Sequence, residues 1–146
     1  MILCDTGPIV AAAFAHQDRH HACTEMFTGF RLANQSLLLP ATVAAEVGFL
    51  LERYGGAAYE ARWLAAVAQG DFEPVDLVAA DYERMSELVD RYADFPLGTT
   101  DASLIALSER LDIAEIATLD RRHFTAVRPR HAPHLTLLPE DLSPRR

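Results

Sequence analysis

The chain has 146 residues, 50% of them hydrophobic and 23% charged, with a formal net charge of -8. That length suits one α/β domain over residues 1–146 with a substantial core, and no low-complexity tract points to disorder. The acidic balance excludes a protein that grips nucleic acid by bulk electrostatics, and no apolar run reaches the roughly 20 residues of a bilayer span.

The N-terminus lacks a charged leader and enters an apolar run at once, so no signal peptide and a cytoplasmic, non-membrane protein are expected. Ile2-Leu3-Cys4 reads as a short buried strand that ends in Asp5 and is broken by Thr6, Gly7 and Pro8. A carboxylate at that position lies at the carboxyl edge of a parallel sheet, where open α/β folds place their ligands. The commoner meaning of an Asp before a Gly-Pro turn is a cap. Cys4 falls inside the strand and reads as a small buried thiol, and with Cys23 it forms no metal or redox spacing.

Residues 9–15 are apolar and Ala-rich, as in a buried first helix. Ala22, Met26, Phe27 and Phe30 share one face of a second. His16, His20 and His21 lack the i, i+4 spacing of a zinc helix and read as solvated loop histidines. Residues 36–40 form a second short strand closed by Pro40. A helix follows from Ala41 to Tyr54 and stops at Gly55-Gly56. Val43, Val47 and Leu50 mark its buried stripe, and Glu46 borders that stripe. A carboxylate there needs a partner or a cation, because an isolated buried charge is very costly.

Residues 57–69, around Trp63, Leu64 and Val67, form another amphipathic helix. Residues 72–75 suit an edge strand, since Pro74 removes a ladder donor. A helix over 78–92 carries Tyr82, Met85, Leu88 and Val89 in register. Gly98, Thr99 and Thr100 then lead into a helix running to Leu111, with Asp101 in or just before its first turn. Asp101 suits the helix dipole, but Thr99 or Thr100 caps equally well and leaves it able to point elsewhere. Residues 114–119 form a further strand leading into Asp120, so the chain repeats its opening device of a strand, an Asp and a turn.

Alternating strands and helices predict a central parallel sheet of four or five strands between helical layers. In that topology Asp5 and Asp120 emerge at the carboxyl edge, and the helices bearing Glu46 and Asp101 start there. Converged carboxylates repel and raise one another's pKa unless a cation neutralises them. Oxygen donors without a Cys or His set select hard ions, Mg²⁺ or Mn²⁺, which bind phosphate and activate water in phosphodiester cleavage. All 13 basic residues other than His are Arg. Those after Asp120 are Arg121, Arg122, Arg128, Arg130, Arg145 and Arg146.

The N-terminal I-L-C-D-T, the P-A-T-V-A-A-E-V helix, P-L-G-T-T-D-A-S-L and the ending A-T-L-D-R-R-H-F together resemble the PIN-domain ribonucleases, specifically the VapC toxins. The resemblance covers nearly the whole chain. It implies a three-layer α/β/α fold and a metal-dependent endoribonuclease acting on RNA, neutralised by a VapB-type antitoxin and usually dimeric. It places Asp5, Glu46, Asp101 and Asp120 in an acidic quartet, with Asp5 and Asp101 the strongest ligands. Thr6 is a candidate to orient Asp5 or the attacking water. Arg121 and Arg122 are candidates to hold a phosphate, against an equal expectation of surface or intramolecular pairing. Asp94 reads as a loop residue, and His123 as a helix-start residue ahead of a proton donor or stacking partner. Two rivals stand beside this reading. An aspartate-based phosphatase or receiver domain lacks the lysine that offsets phosphate charge, and a non-catalytic module predicts no metal-dependent activity.

Overall fold

A computed structural model describes residues 1–140; Arg145 and Arg146 lie outside them. Five parallel strands form one sheet: β1 (Ile2–Cys4), β2 (Leu37–Pro40), β3 (Glu73–Val75), β4 (Glu115–Ala117) and β5 (Thr136–Leu138). Their order is β3-β2-β1-β4-β5, so the strand that precedes Asp5 is central. Leu3 pairs with Leu38 on one side and Ile116 on the other. The central strands β1 and β2 are wholly buried, as continuous apolar runs in a parallel sheet require. Pro74 does fall on an edge strand, paired with Leu39. The fifth strand completes the other edge, where no strand was expected beyond residue 119.

Seven helices flank the sheet among the described residues: α1 (Thr6–Ala13), α2 (His20–Leu32), α3 (Ala41–Gly55), α4 (Ala57–Ala68), α5 (Ala79–Arg91), α6 (Thr99–Leu111) and α7 (Arg121–Ala126). Helix α1 begins three residues earlier than its apolar run because Asp5 caps it. Helix α3 ends against Gly56, whose φ of 87° is the left-handed conformation that favours glycine. Helix α6 is the most enclosed, with residues 102–108 buried between the sheet and its neighbours.

Several faces differ from expectation. Trp63 is buried, but Leu64 is exposed; Met85 and Leu88 are buried while Tyr82 and Val89 face outward. Leu51, rather than Leu50, completes the buried stripe of α3. His20 and His21 belong to α2, not to a loop. The His20 ring nitrogen Nδ1 faces the Ala11 carbonyl at 2.8 Å, and His21 lies beside Glu25. Only His16 keeps its loop position.

Helices α5 and α6 are clamped by ion pairs. Arg84 Nε donates to Glu109 at 2.6 Å, and Arg110 Nε donates to the buried Asp81 at 2.9 Å. Asp81 also accepts from the backbone N–H of Val78, closing the first turn of α5. A buried acid that serves the fold thus carries its own arginine. No helix of the described residues is long and apolar enough to cross a membrane.

Candidate active site

The four acids named from sequence come from four segments that end or begin at the carboxyl edge of the sheet. Asp5 leaves β1 in extended conformation, and its backbone N–H continues the ladder to the Ala117 carbonyl at 2.9 Å. Its side chain is buried, 6% exposed. Oδ1 accepts from the Thr6 backbone N–H at 2.7 Å, and Oδ2 from the Thr118 hydroxyl at 2.7 Å. Asp5 therefore is a cap, as the commoner reading held. Unlike Asp81, though, it is hydrogen-bonded only by neutral donors. Burial pushes its carboxyl above the usual range and Glu46 and Asp120 add to the rise; the two hydrogen bonds oppose it.

Thr118 is the residue that sequence reading missed. It is fully buried, donates to Asp5 Oδ2, and accepts from the Asp120 backbone N–H at 3.0 Å. One hydroxyl thus ties the end of β1 to the turn carrying the fourth acid. The only sequence signal is a Thr two positions before an Asp at a strand end. Thr118→Val keeps the shape but strands an acceptor and a donor, so it should cost about 1–3 kcal/mol of stability. Cleavage should fall more steeply than stability explains, because Asp5 and Asp120 both lose their register. A variant with wild-type melting and wild-type rate would remove Thr118 from the site.

Asp101 is the third residue of α6, at the favourable end of the helix dipole. Its carboxyl is nevertheless pushed up to about 7. Burial is the largest cause; Asp5, Asp120 and Glu46 add to it and His123 opposes. Asp120 caps α7, with Oδ1 accepting from the His123 backbone N–H at 3.2 Å. Glu46, five residues into α3, is exposed rather than half-buried. It still has the partner its position called for: the Thr100 hydroxyl donates to Oε2 at 2.9 Å. A second tie, Thr42 with Ser103 at 2.6 Å, holds α3 against α6 beside it.

His123 starts α7, as expected, but its ring also enters the cluster. Nδ1 lies 2.6 Å from Asp120 Oδ2 and 3.6 Å from Asp101 Oδ2. Ligand atoms of Asp101, Asp120 and His123 all lie within 4.8 Å of one another. The hydrogen bond to Asp120 is the main cause that raises the His123 pKa. Phe95 packs on the His123 ring at 4.9 Å, and the Arg122 guanidinium covers the other side of this rim, 4.9 Å from the Phe95 centroid.

The remaining candidates separate. The Thr6 hydroxyl is buried and has no hydrogen-bond partner among the described residues. The Arg121 guanidinium donates to the carbonyls of Leu137 and Pro139, the intramolecular pairing that stood as the equal expectation, with the acceptors supplied in and after β5 rather than by an acid. Arg122 remains exposed at the rim, and Asp94 is an exposed loop residue. Cys4, next to Asp5, is fully buried with its thiol turned to the Ile2 carbonyl, and burial pushes it up to about 12. The donors left to the cluster are carboxylates and one imidazole, a set that fits a hard or borderline divalent cation.

A family model, PIN domain, matches residues 2–128. Ribonuclease VapC26 of Mycobacterium tuberculosis is 30% identical over 138 residues, 94% of this chain and 100% of its own length. Among solved structures, Mycobacterium tuberculosis VapC20, a sarcin-ricin loop cleaving toxin, superposes with a TM-score of 0.75 at 20% identity, covering 86% of this chain and 95% of that one. VapBC2 from Rickettsia felis, bound to a DNA fragment from its promoter, gives 0.66 at 18% identity over 94% and 97%. A toxin–antitoxin complex from Klebsiella pneumoniae gives 0.61 at 18% identity over 92% and 99%. At those identities the structures share the fold alone, whereas the family match spans every segment that carries the acids. The chain therefore belongs to the PIN domain family, as a ribonuclease of the VapC type.

Proposed function

We propose that this ribonuclease is the toxin of a toxin–antitoxin pair and hydrolyses RNA phosphodiester bonds with Mg²⁺ or Mn²⁺ held by Asp5, Glu46, Asp101 and Asp120. The observation that carries the reading is the convergence of metal-ligating groups from separate segments, with ligand atoms of Asp101, Asp120 and His123 within 4.8 Å of one another. Burial and the charges of Asp5, Asp120 and Glu46 push the Asp101 carboxyl up to about 7. Such a cluster costs the fold energy unless a cation joins it.

When bound there, a hard divalent ion supplies charge neutralisation, a polarised phosphate oxygen and a more acidic water. The chain's own residues set the geometry. Thr118 and the Thr6 backbone N–H fix both oxygens of Asp5, so the carboxylate is oriented before any ligand arrives. Thr100 does the same for Glu46 at the outer edge. The unpartnered Thr6 hydroxyl is available to a water or phosphate oxygen, and Arg122 lies at the rim where an RNA phosphate enters. A phosphatase or receiver reading lacks its lysine, since the chain contains none.

Structures of similar proteins with antitoxins support a VapB-type partner for this chain, and a homodimer goes with that reading. Expression of the chain alone should arrest growth and leave RNA with new ends in one recurring context. Co-expression of the small open reading frame expected beside it should restore growth. Sequencing of RNA ends checks this; arrested cells with intact RNA would exclude nuclease toxicity.

A further inference from the structure

We infer that His123 is a nitrogen ligand of the bound cation, through Nδ1 beside Asp101 and Asp120, and that it biases the site towards Mn²⁺ over Mg²⁺. The inference deepens the proposed function and rests on a cation at the carboxylate cluster.

The local sequence aims the ring. Asp120 caps α7 and His123 is three residues on, so both side chains emerge at the same end of one short helix. The His123 backbone N–H is taken by Asp120 Oδ1, which leaves Oδ2 for the ring at 2.6 Å. Asp101 Oδ2 is 3.6 Å from the same nitrogen. Ligands bound about 2.1 Å from one ion stand roughly 3–4 Å apart; the Asp101 distance of 3.6 Å fits that spacing, and the 2.6 Å hydrogen bond to Asp120 opens by about half an ångström when an ion takes the place of its proton.

The ring is also held from outside. Phe95 packs against it at 4.9 Å. An ordinary capping histidine has no need of two carboxylates at one nitrogen. Cys4 is a buried thiol, so imidazole is the one donor of intermediate softness in the cluster among the described residues. Nitrogen ligation disfavours Mg²⁺, which seeks oxygen donors, relative to the transition ions.

Electron spin echo modulation on the full chain loaded with Mn²⁺ tests this directly. A directly coordinated ¹⁴N signal is expected, replaced by a ¹⁵N pattern when the protein is grown with ¹⁵N-histidine. His123→Asn should abolish it and weaken Mn²⁺ binding by about 10–100-fold in calorimetry, with a smaller loss for Mg²⁺. The labelled wild type needs no variant, so a misfolded His123→Asn leaves the test intact. Bound Mn²⁺ without nitrogen coupling overturns the His123 assignment but leaves the carboxylate site standing. Failure of wild-type protein to bind Mn²⁺ at all overturns the carboxylate reading with it.

Discussion

Asp101→Asn is expected to lower RNA cleavage by about 1,000-fold or more, some 4 kcal/mol of barrier, while making the metal-free protein more stable at pH 8. The two effects have one cause. The Asp101 carboxyl, raised to about 7, is ionised at pH 8 among other carboxylates and costs the fold energy there. Asparagine keeps the shape and removes the charge. Allowing for partial exposure, the relief is on the order of 2 kcal/mol, or about 5 °C in melting temperature for a chain of this size.

Asp5→Asn should lose activity as fully. Its stability gain should be smaller, because one oxygen becomes an NH₂ that faces either the Thr118 hydroxyl or the Thr6 N–H. A purely structural role for these acids predicts the reverse pattern, lower stability with retained cleavage. Melting curves and single-turnover rates on purified variants separate the two, and wild-type cleavage by either variant would end the assignment.

The second large effect is that of metal removal, and its size depends on pH. EDTA should silence cleavage, and Mg²⁺ or Mn²⁺ should restore it; activity that persists in chelator rejects the metal mechanism. In chelator, Asp5, Asp101 and His123 all have raised pKa values in the fold. Each then contributes stability that is fully present below its unfolded value and is lost as pH rises through its folded value. For Asp101 the window runs from about 3.8 to about 7.

The metal-free protein should therefore melt at a lower temperature at pH 8 than at pH 5.5. With metal the fall should flatten, because the ion replaces the proton on Asp101 and the folded chain then binds no more protons there than the unfolded one. Apparent affinity should rise up to tenfold per pH unit below pH 7 and then level off. At 100 times its dissociation constant the ion adds about 2.7 kcal/mol. Melts at two pH values, with EDTA and with Mg²⁺ or Mn²⁺, read all of this; a metal-free melting temperature that rises from pH 5.5 to 8 contradicts it.

The acids were legible in the sequence because local chemistry marks them. Asp5 and Asp120 interrupt apolar runs at strand ends, Asp101 opens an apolar helix, and Glu46 interrupts another. The alternation of short apolar strands with helical periods announced a parallel sheet. Helix stops were also local: Gly55-Gly56 ends α3 because Gly56 takes a conformation other residues avoid.

What the sequence by itself determined, then, is the parallel sheet and the four candidate carboxylates, since period, glycine and charge act within a few residues. Only the tertiary structure decided what each carboxylate meets. Thr118 reaches Asp5 across 113 positions, Thr100 reaches Glu46 across 54, and Arg121 donates to the carbonyls of Leu137 and Pro139. The His123 ring turns inward because Phe95, Asp101 of α6 and its own helix cap Asp120 surround it. Hydrogen bonds and charge repulsion act over a few ångströms in space, whatever the distance along the chain. A side chain's partner therefore depends on which distant strands become neighbours.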